Sequence, residues 1–229
     1  MVMGQQSEWV AERAVWASRL RRQALSGLTR FGEAEALRRV AGGEGAEGGS
    51  GLAGSFRDER GHRRAVDRWL VGRLLGEAVE DEVGDRAGLD ERLFAGLVTG
   101  DGSAAEACLG SNGSLEVFDP EVGIERWTQT ELGALHAMGV WAARGLGRDR
   151  VLDAARWHVA ELQPDNATHH AWALHVFVEV GISGDSGALA HAGTLLHNAM
   201  VAGGGAPDAF SSVLLLDSAM VLEGGGWLG

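Results

Sequence analysis

The chain of 229 residues carries 20 basic and 32 acidic residues, a formal charge of −12, and one cysteine. The negative charge disfavours nucleic acids and anionic membranes as partners, because both require cations that neutralise phosphates. Every basic residue is arginine, which excludes the P-loop, Schiff-base and protein-kinase chemistries that need lysine, and the lone Cys108 excludes an intramolecular disulfide.

The start of the chain and its apolar runs indicate where in the cell the protein is expected. Residues 1–16 lack the basic segment and apolar run of a secretory signal. The longest apolar runs, 171–182 and 209–222, contain titratable residues and are shorter than the roughly 20 residues that cross a bilayer. We therefore expect a cytoplasmic protein with no membrane span.

The sequence of residues 1–56 predicts an N-terminal helical arm followed by a Gly-rich linker or loop. Trp9, Trp16 and Leu20 recur at steps of seven and four, which predicts an amphipathic helix over 6–26. A second, short helix is expected at 31–40. The following stretch is too rich in glycine for regular structure. The predicted domains are an N-terminal helical arm (1–41), a Gly-rich linker or loop (42–56) and an α-helical hairpin domain (57–229).

Apolar periodicity predicts seven helices in the hairpin domain: 62–82, 90–98, 128–145, 150–162, 168–180, 187–201 and 207–223. Thr128 followed by Glu131 matches a capping box, and Pro207 suits the first position of a helix. Short connections at 163–167 and 202–206 predict antiparallel hairpins. His136 shares a helix face with apolar residues, which is typical of a hydrogen-bonded core histidine.

The run 154–165, which ends Gln163-Pro-Asp165 and is followed by an apolar helix with Trp172, resembles a repeat of the α/α-toroid superfamily of terpenoid cyclases and protein prenyltransferases. In that family an outer helix ends in Gln, a turn with Asp follows, and an inner helix lines a cavity. The resemblance covers about residues 126–223 and departs at Asn166, where the family has glycine.

The resemblance implies an all-α fold of antiparallel helical hairpins forming a partial α/α toroid or a curved solenoid. Neither the Asp-rich motif of one cyclase class nor the DDxxD motif of the other is present. No catalytic residue is therefore carried over.

Seven of the eight histidines lie between Arg126 and Met200. Histidine titrates near neutrality and is a common metal ligand, so this region is where a binding site is expected. The candidate ligand-binding residues are His158, Asp165, His169, His170, Trp172, His175, Glu179 and Asp217. Their spacing matches no zinc signature, so we expect no metal and no other cofactor.

Charged side chains within apolar helices require partners. Glu179 and His175 share one helix face, as an acid-base couple would, although paired structural roles are the commoner reason for such residues. The leading hypothesis is a non-catalytic helical-repeat module that binds a protein or a small apolar ligand. The alternative is a toroid-type enzyme with a His/Asp-lined cavity acting on an apolar or isoprenoid-like substrate, with zinc assistance as one variant.

Overall fold

The computed structural model describes residues 2–30, 34–44, 51–79, 82–108, 124–161 and 169–225. These residues form eleven α-helices and no strand, which confirms the all-α class. In chain order the helices are α1 (Val2–Leu28), α2 (Glu35–Ala41), α3 (Leu52–Ser55), α4 (Asp67–Leu75), α5 (Leu89–Thr99), α6 (Ser103–Cys108), α7 (Ile124–Ala143), α8 (Arg148–Glu161), α9 (Leu174–Ile182), α10 (Ser186–Ala202) and α11 (Ala209–Glu223). The predicted turn at 163–167 lies outside the described residues.

Two apolar helices, α9 and α11, form the centre of the fold. Every residue of α9 is buried, and so is every residue of α11 except Met220 and Glu223. A helix that is apolar on all sides requires neighbours on all sides. Helix α9 accordingly contacts α1, α7, α8, α10 and α11. The polar residues of these two helices are therefore held inside the core.

Helix α1 packs along α11 and also contacts α9. Its buried side chains recur at steps of three and four, as expected for one face of a helix. They are Arg13, Ala17, Leu20, Ala24 and Leu28. An arginine at the start of an otherwise apolar stripe indicates that a carboxylate of the core pairs with α1.

Consecutive helices pack as neighbours from α7 to α10. The connections at 144–147 and 183–185 are short, which makes the helices that they join antiparallel. Helix α11 behaves differently, because it packs chiefly on α1 and contacts α4 and α9 rather than pairing along α10. The described contacts do not show a toroid arrangement. None of the described helices combines the length and apolarity required to cross a membrane.

Helix α4 is shorter than its predicted range of 62–82. The carboxylate of Asp58 accepts the backbone N–H of His62, which draws the chain into a turn before the helix begins. At the other end Gly76 has φ 64°, a left-handed conformation that ends helices and that glycine adopts without strain. A side-chain hydrogen bond before the helix and a left-handed glycine after it thus outweigh the apolar periodicity.

Two other helix starts also differ from their predicted positions. Helix α7 begins at Ile124, so Thr128 lies within the helix and the capping box predicted at Thr128 is wrong. Helix α9 begins at Leu174 rather than near residue 168, because the backbone N–H of Ala173 donates to a histidine of α7. The start of α9 is therefore set by a tertiary contact.

Helices α7 and α9 approach closely at Gly139. A Cβ at this position would overlap the side chains of Val176 and His175. We expect Gly139→Ala to lower the free energy of unfolding by about 1–3 kcal/mol through overpacking. The matched control is Gly193→Ala on α10, where a Cβ meets no atom within 4 Å and alanine favours the helix. Urea denaturation of both variants tests this, and equal stabilities would contradict it.

Candidate functional site

Buried polar side chains form a network between α4, α7 and α11. Arg73 on α4 forms an ion pair with Oδ1 of Asp217 on α11, while Oδ2 accepts a hydrogen bond from Nε2 of His136 on α7 at 3.0 Å. Asp217 and His136 are fully buried. An ionised carboxylate in the core is costly without partners, so these two contacts are what allow Asp217 to be buried.

His136 uses both of its ring nitrogens in this network. Its Nδ1 accepts the backbone N–H of Ala173 at 3.0 Å, which places the ring proton on Nε2, the atom facing Asp217. Ala173 has φ 53°, a conformation that non-glycine residues rarely adopt, and the bond to His136 stabilises it. Burial, with His175 and Arg73 nearby, holds the pKa of His136 well below its ordinary value. The prediction of a hydrogen-bonded core histidine is confirmed.

His175 borders the same network. Its Nδ1 lies 3.1 Å from Oγ of Ser218, and its ring meets that of His136 edge to face with centroids 4.7 Å apart. Burial, with Arg73 nearby, lowers the pKa of His175 to about 3. Two predicted site residues, His175 and Asp217, are thus brought together, and both are fully buried.

Glu179 pairs with Arg13 rather than with His175. Nε and Nη2 of Arg13 donate to Oε1 and Oε2 of Glu179 at 2.7 and 3.0 Å. The side chains are 4% and 0% exposed, respectively, so this bidentate pair joins α1 to α9 inside the core. Glu179 and His175 therefore have different partners, and the contacts support structural roles rather than an acid-base couple.

His158 and Trp172 are also core residues. Nε2 of His158 lies 3.7 Å from Oε1 of Glu131, and the side chain of His158 is 1% exposed. Burial, together with nearby His191, lowers the pKa of His158 to about 4. The ring of Trp172 packs edge to face on Phe210.

The eight predicted site residues therefore fall into three groups. Those in the core are His158, Trp172, His175, Glu179 and Asp217, those lining a pocket are His169 and His170, and Asp165 lies outside the described residues. The structure brings together only some of them, and their contact with a ligand stays a prediction.

A pocket of about 310 Å³ lies between the segment that precedes α4 and the start of α11. We call it the loop pocket. Its walls come from Arg30, from residues within 58–64, from His169 and His170, and from residues within 202–208. Its volume falls at the lower end of small-molecule sites, and it is more enclosed than the depressions beside α1 and at the start of α8. We take the loop pocket as the candidate functional site.

A closed turn at 58–62 fixes one wall of the pocket. The N–H of Asp58 donates to the carbonyl of His62, and Oδ1 of Asp58 accepts the N–H groups of Arg60 and His62 at 3.0 and 2.8 Å. Oδ2 accepts from Arg64 at 3.1 Å. Burial raises the pKa of Asp58, but these hydrogen bonds and Arg64 outweigh it and leave the pKa below its ordinary value. The carboxylate of Asp58 is therefore committed to shaping the turn.

The other two carboxylates of the pocket bind the start of α11. Oε1 of Glu59 accepts the N–H of Ala209 at 2.6 Å, and Oδ1 of Asp208 accepts the N–H of Ser211 at 2.6 Å. The first amides of a helix have no partner within the helix, so these carboxylates act as caps. Their acceptor oxygens are partly used before any ligand arrives.

His170, Ser211 and Asp208 have the composition of a catalytic triad without its geometry. Nδ1 of His170 lies 3.2 Å from Oγ of Ser211 and 3.6 Å from Oδ2 of Asp208. Nε2 faces Nη2 of Arg64 at 3.4 Å. A guanidinium only donates hydrogen bonds, so Nε2 accepts, the ring proton lies on Nδ1, and that nitrogen cannot take the serine proton. Burial lowers the pKa of His170 to about 4, although Asp208 opposes this.

Sequence reasoning missed the wall at 58–64, which it assigned to the beginning of the helical domain. The available signal was Asp58 three residues before Gly61, because aspartate at the first and glycine at the fourth position favour a type I turn. The N–H of Gly61 does donate to the carbonyl of Asp58. The pocket itself combines segments distant in sequence, which no local pattern indicates.

Metal binding and similarity to known proteins give no further assignment. Within the described part of the chain, no group of three or more His, Cys, Asp or Glu side chains is placed to hold a metal ion. Comparisons with protein-family models, with curated proteins and with solved structures gave no match.

Proposed function

We propose that the chain is a non-catalytic helical binding module whose ligand is a small polar molecule held in the loop pocket. The observation that carries the proposal is that hydrogen bonds within the chain hold the polar wall of the pocket. The turn at 58–62 is closed by its own hydrogen bonds, and His170 is held between Ser211 and Arg64. A wall fixed in advance reduces the entropy lost on binding.

The absence of catalysis in this proposal is supported by how His136 and His170 are used. Both nitrogens of His136 and both nitrogens of His170 face partners within the chain. A general base requires a nitrogen that can reach the substrate. The sequence suggested a protein or a small apolar molecule as the ligand. The arginine, histidine and carboxylate side chains of the pocket favour a small polar one.

The resemblance to the α/α-toroid superfamily enters this proposal as architecture only. We propose that the helices from α7 to α11 form a partial toroid or curved solenoid in which α9 is an inner helix. The complete burial of α9 and its contacts with α7, α8 and α10 support this arrangement. In this arrangement the loop pocket would lie at the end of the module where α9 and α11 begin.

Ligand binding can be observed through the imidazole NMR signals of the histidines. A mixture of anionic, cationic and uncharged small molecules is expected to shift the signals of His62, His169 and His170, which line the pocket. The signals of His136 in the core and of His197, exposed on α10, serve as internal controls. Bound molecules are expected to be recovered chemically unchanged.

Two results would overturn the proposed function. One is that no class of molecule shifts the pocket signals, or that the shifts occur only at the control histidines. The other is that a bound molecule is recovered as a different compound, because turnover is incompatible with a non-catalytic module.

A further inference from the structure

We infer that the ligand of the loop pocket carries an oxyanion, namely a carboxylate or a phosphate group; this inference rests on the proposed function. The hydrogen-bonding groups that the pocket still offers to a ligand determine the chemistry of that ligand. Arginine presents five N–H donors and no acceptor, so its unused capacity selects acceptor-rich partners.

Two guanidinium groups at the pocket have unused donors. The guanidinium of Arg60 makes no hydrogen bond or ion pair with the described part of the chain. Arg30 donates Nη1 to the carbonyl of Gly203 at 2.9 Å, which leaves other N–H groups of this guanidinium for a ligand. His62 faces Asp58 through Nδ1 at 3.4 Å and is otherwise exposed.

The acceptors, in contrast, are more heavily engaged, although Glu59 and Asp208 each keep a second oxygen that accepts no hydrogen bond from the residues that the structure describes. Asp58 accepts two backbone N–H groups and Arg64. Glu59 and Asp208 each accept an N–H group from the first turn of α11. A cationic ligand would find only the second oxygens of Glu59 and Asp208, whereas an oxyanion can use the whole guanidinium of Arg60 and the remaining N–H groups of Arg30.

The pocket also differs from the charge of the chain as a whole. At −12 the protein repels anions at long range, and this repulsion is screened within about 10 Å at moderate ionic strength. The three arginines of the pocket are balanced by three carboxylates, so the lining is formally neutral in a chain of charge −12, and its unused guanidinium N–H groups act on an anion only at contact distance. We therefore expect recognition of the anion by hydrogen bonds rather than electrostatic steering.

The test uses the complete chain with four probes at constant ionic strength: succinate, inorganic phosphate, succinamide and putrescine. Succinamide matches succinate in shape but lacks its charge. We expect succinate or phosphate at about 10 mM to shift the imidazole signals of the pocket histidines, and succinamide and putrescine not to do so. Binding of phosphate without succinate, or the reverse, identifies the source of the oxyanion, and either supports the inference.

Arginine variants locate the binding groups. Arg60→Gln and Arg30→Gln are each expected to raise the Kd about tenfold, the value of one charge-assisted hydrogen bond. Arg63→Gln is the matched control, because Arg63 is an exposed arginine of the same segment that does not line the pocket. Binding of succinamide or putrescine but neither anion would overturn the oxyanion inference and leave the proposed function standing. Equal losses in all three variants would also overturn it.

Discussion

Replacing Asp217 with alanine is expected to lower the free energy of unfolding by about 3–5 kcal/mol. The carboxylate of Asp217 is the centre of the buried network, since one oxygen pairs with Arg73 and the other accepts from His136. The variant leaves a guanidinium that is only 15% exposed and an imidazole N–H in the core without their acceptor. Urea denaturation at pH 7.5 measures the loss.

Three further variants separate the buried charge from ordinary loss of packing. Ser218→Ala removes only the hydroxyl beside His175 and is expected to cost about 1 kcal/mol. The double variant Asp217→Leu/Arg73→Met removes both charges. It is therefore expected to be more stable than the single variant Asp217→Leu by about 2 kcal/mol or more. A single Asp217 variant as stable as Ser218→Ala would show that the network does not support the fold.

Helices with strong apolar periodicity were predictable from the sequence. The predicted ranges 6–26, 90–98, 187–201 and 207–223 correspond to α1, α5, α10 and α11, with ends that differ by a few residues. Their positions follow from side chains that must be buried together. The starts of α4 and α9 were not predictable in this way, because each depends on a backbone N–H that donates to a side chain: that of His62 to Asp58, and that of Ala173 to His136.

The need for buried ion pairs was visible in the sequence, but the pairing was not. Arg13 lies on the buried stripe of α1, and Glu179 interrupts an apolar helix, so both require partners. They meet across 166 positions of sequence, a distance at which no spacing rule applies. The candidate site was only partly predictable for the same reason. His169 and His170 belong to the predicted cluster, but the turn that faces them begins at Asp58, far away in the sequence.

Mild acid is expected to unfold the protein, because several imidazoles are buried in their neutral form. Burial lowers the pKa of His158 and His191 to about 4 and that of His175 to about 3, and the unfolded chain has the ordinary value of 6.5. The unfolded state therefore binds more protons, and stability that is complete above pH 6.5 is lost as the pH falls toward 4. Each such imidazole lowers the free energy of unfolding by about 2 kcal/mol at pH 5.

Asp67 acts in the opposite direction but is outweighed. Burial raises its pKa to about 6, so the folded state binds a proton first and gains about 1 kcal/mol at pH 5. Together the three imidazoles lower the free energy of unfolding by about 6 kcal/mol at pH 5, which is comparable with the whole stability of a typical domain.

The pH dependence is measured by urea denaturation between pH 7.5 and 4.5. His158→Leu is expected to recover about 2 kcal/mol of the loss at pH 5, because leucine carries no proton and can fill the space of the imidazole beside Phe177. His197→Gln is the matched control, and we expect it to leave the profile unchanged because His197 is exposed on α10. A stability that is flat between pH 7 and 5, or a steep profile that His158→Leu does not reduce, would show that these imidazoles are not buried in their neutral form.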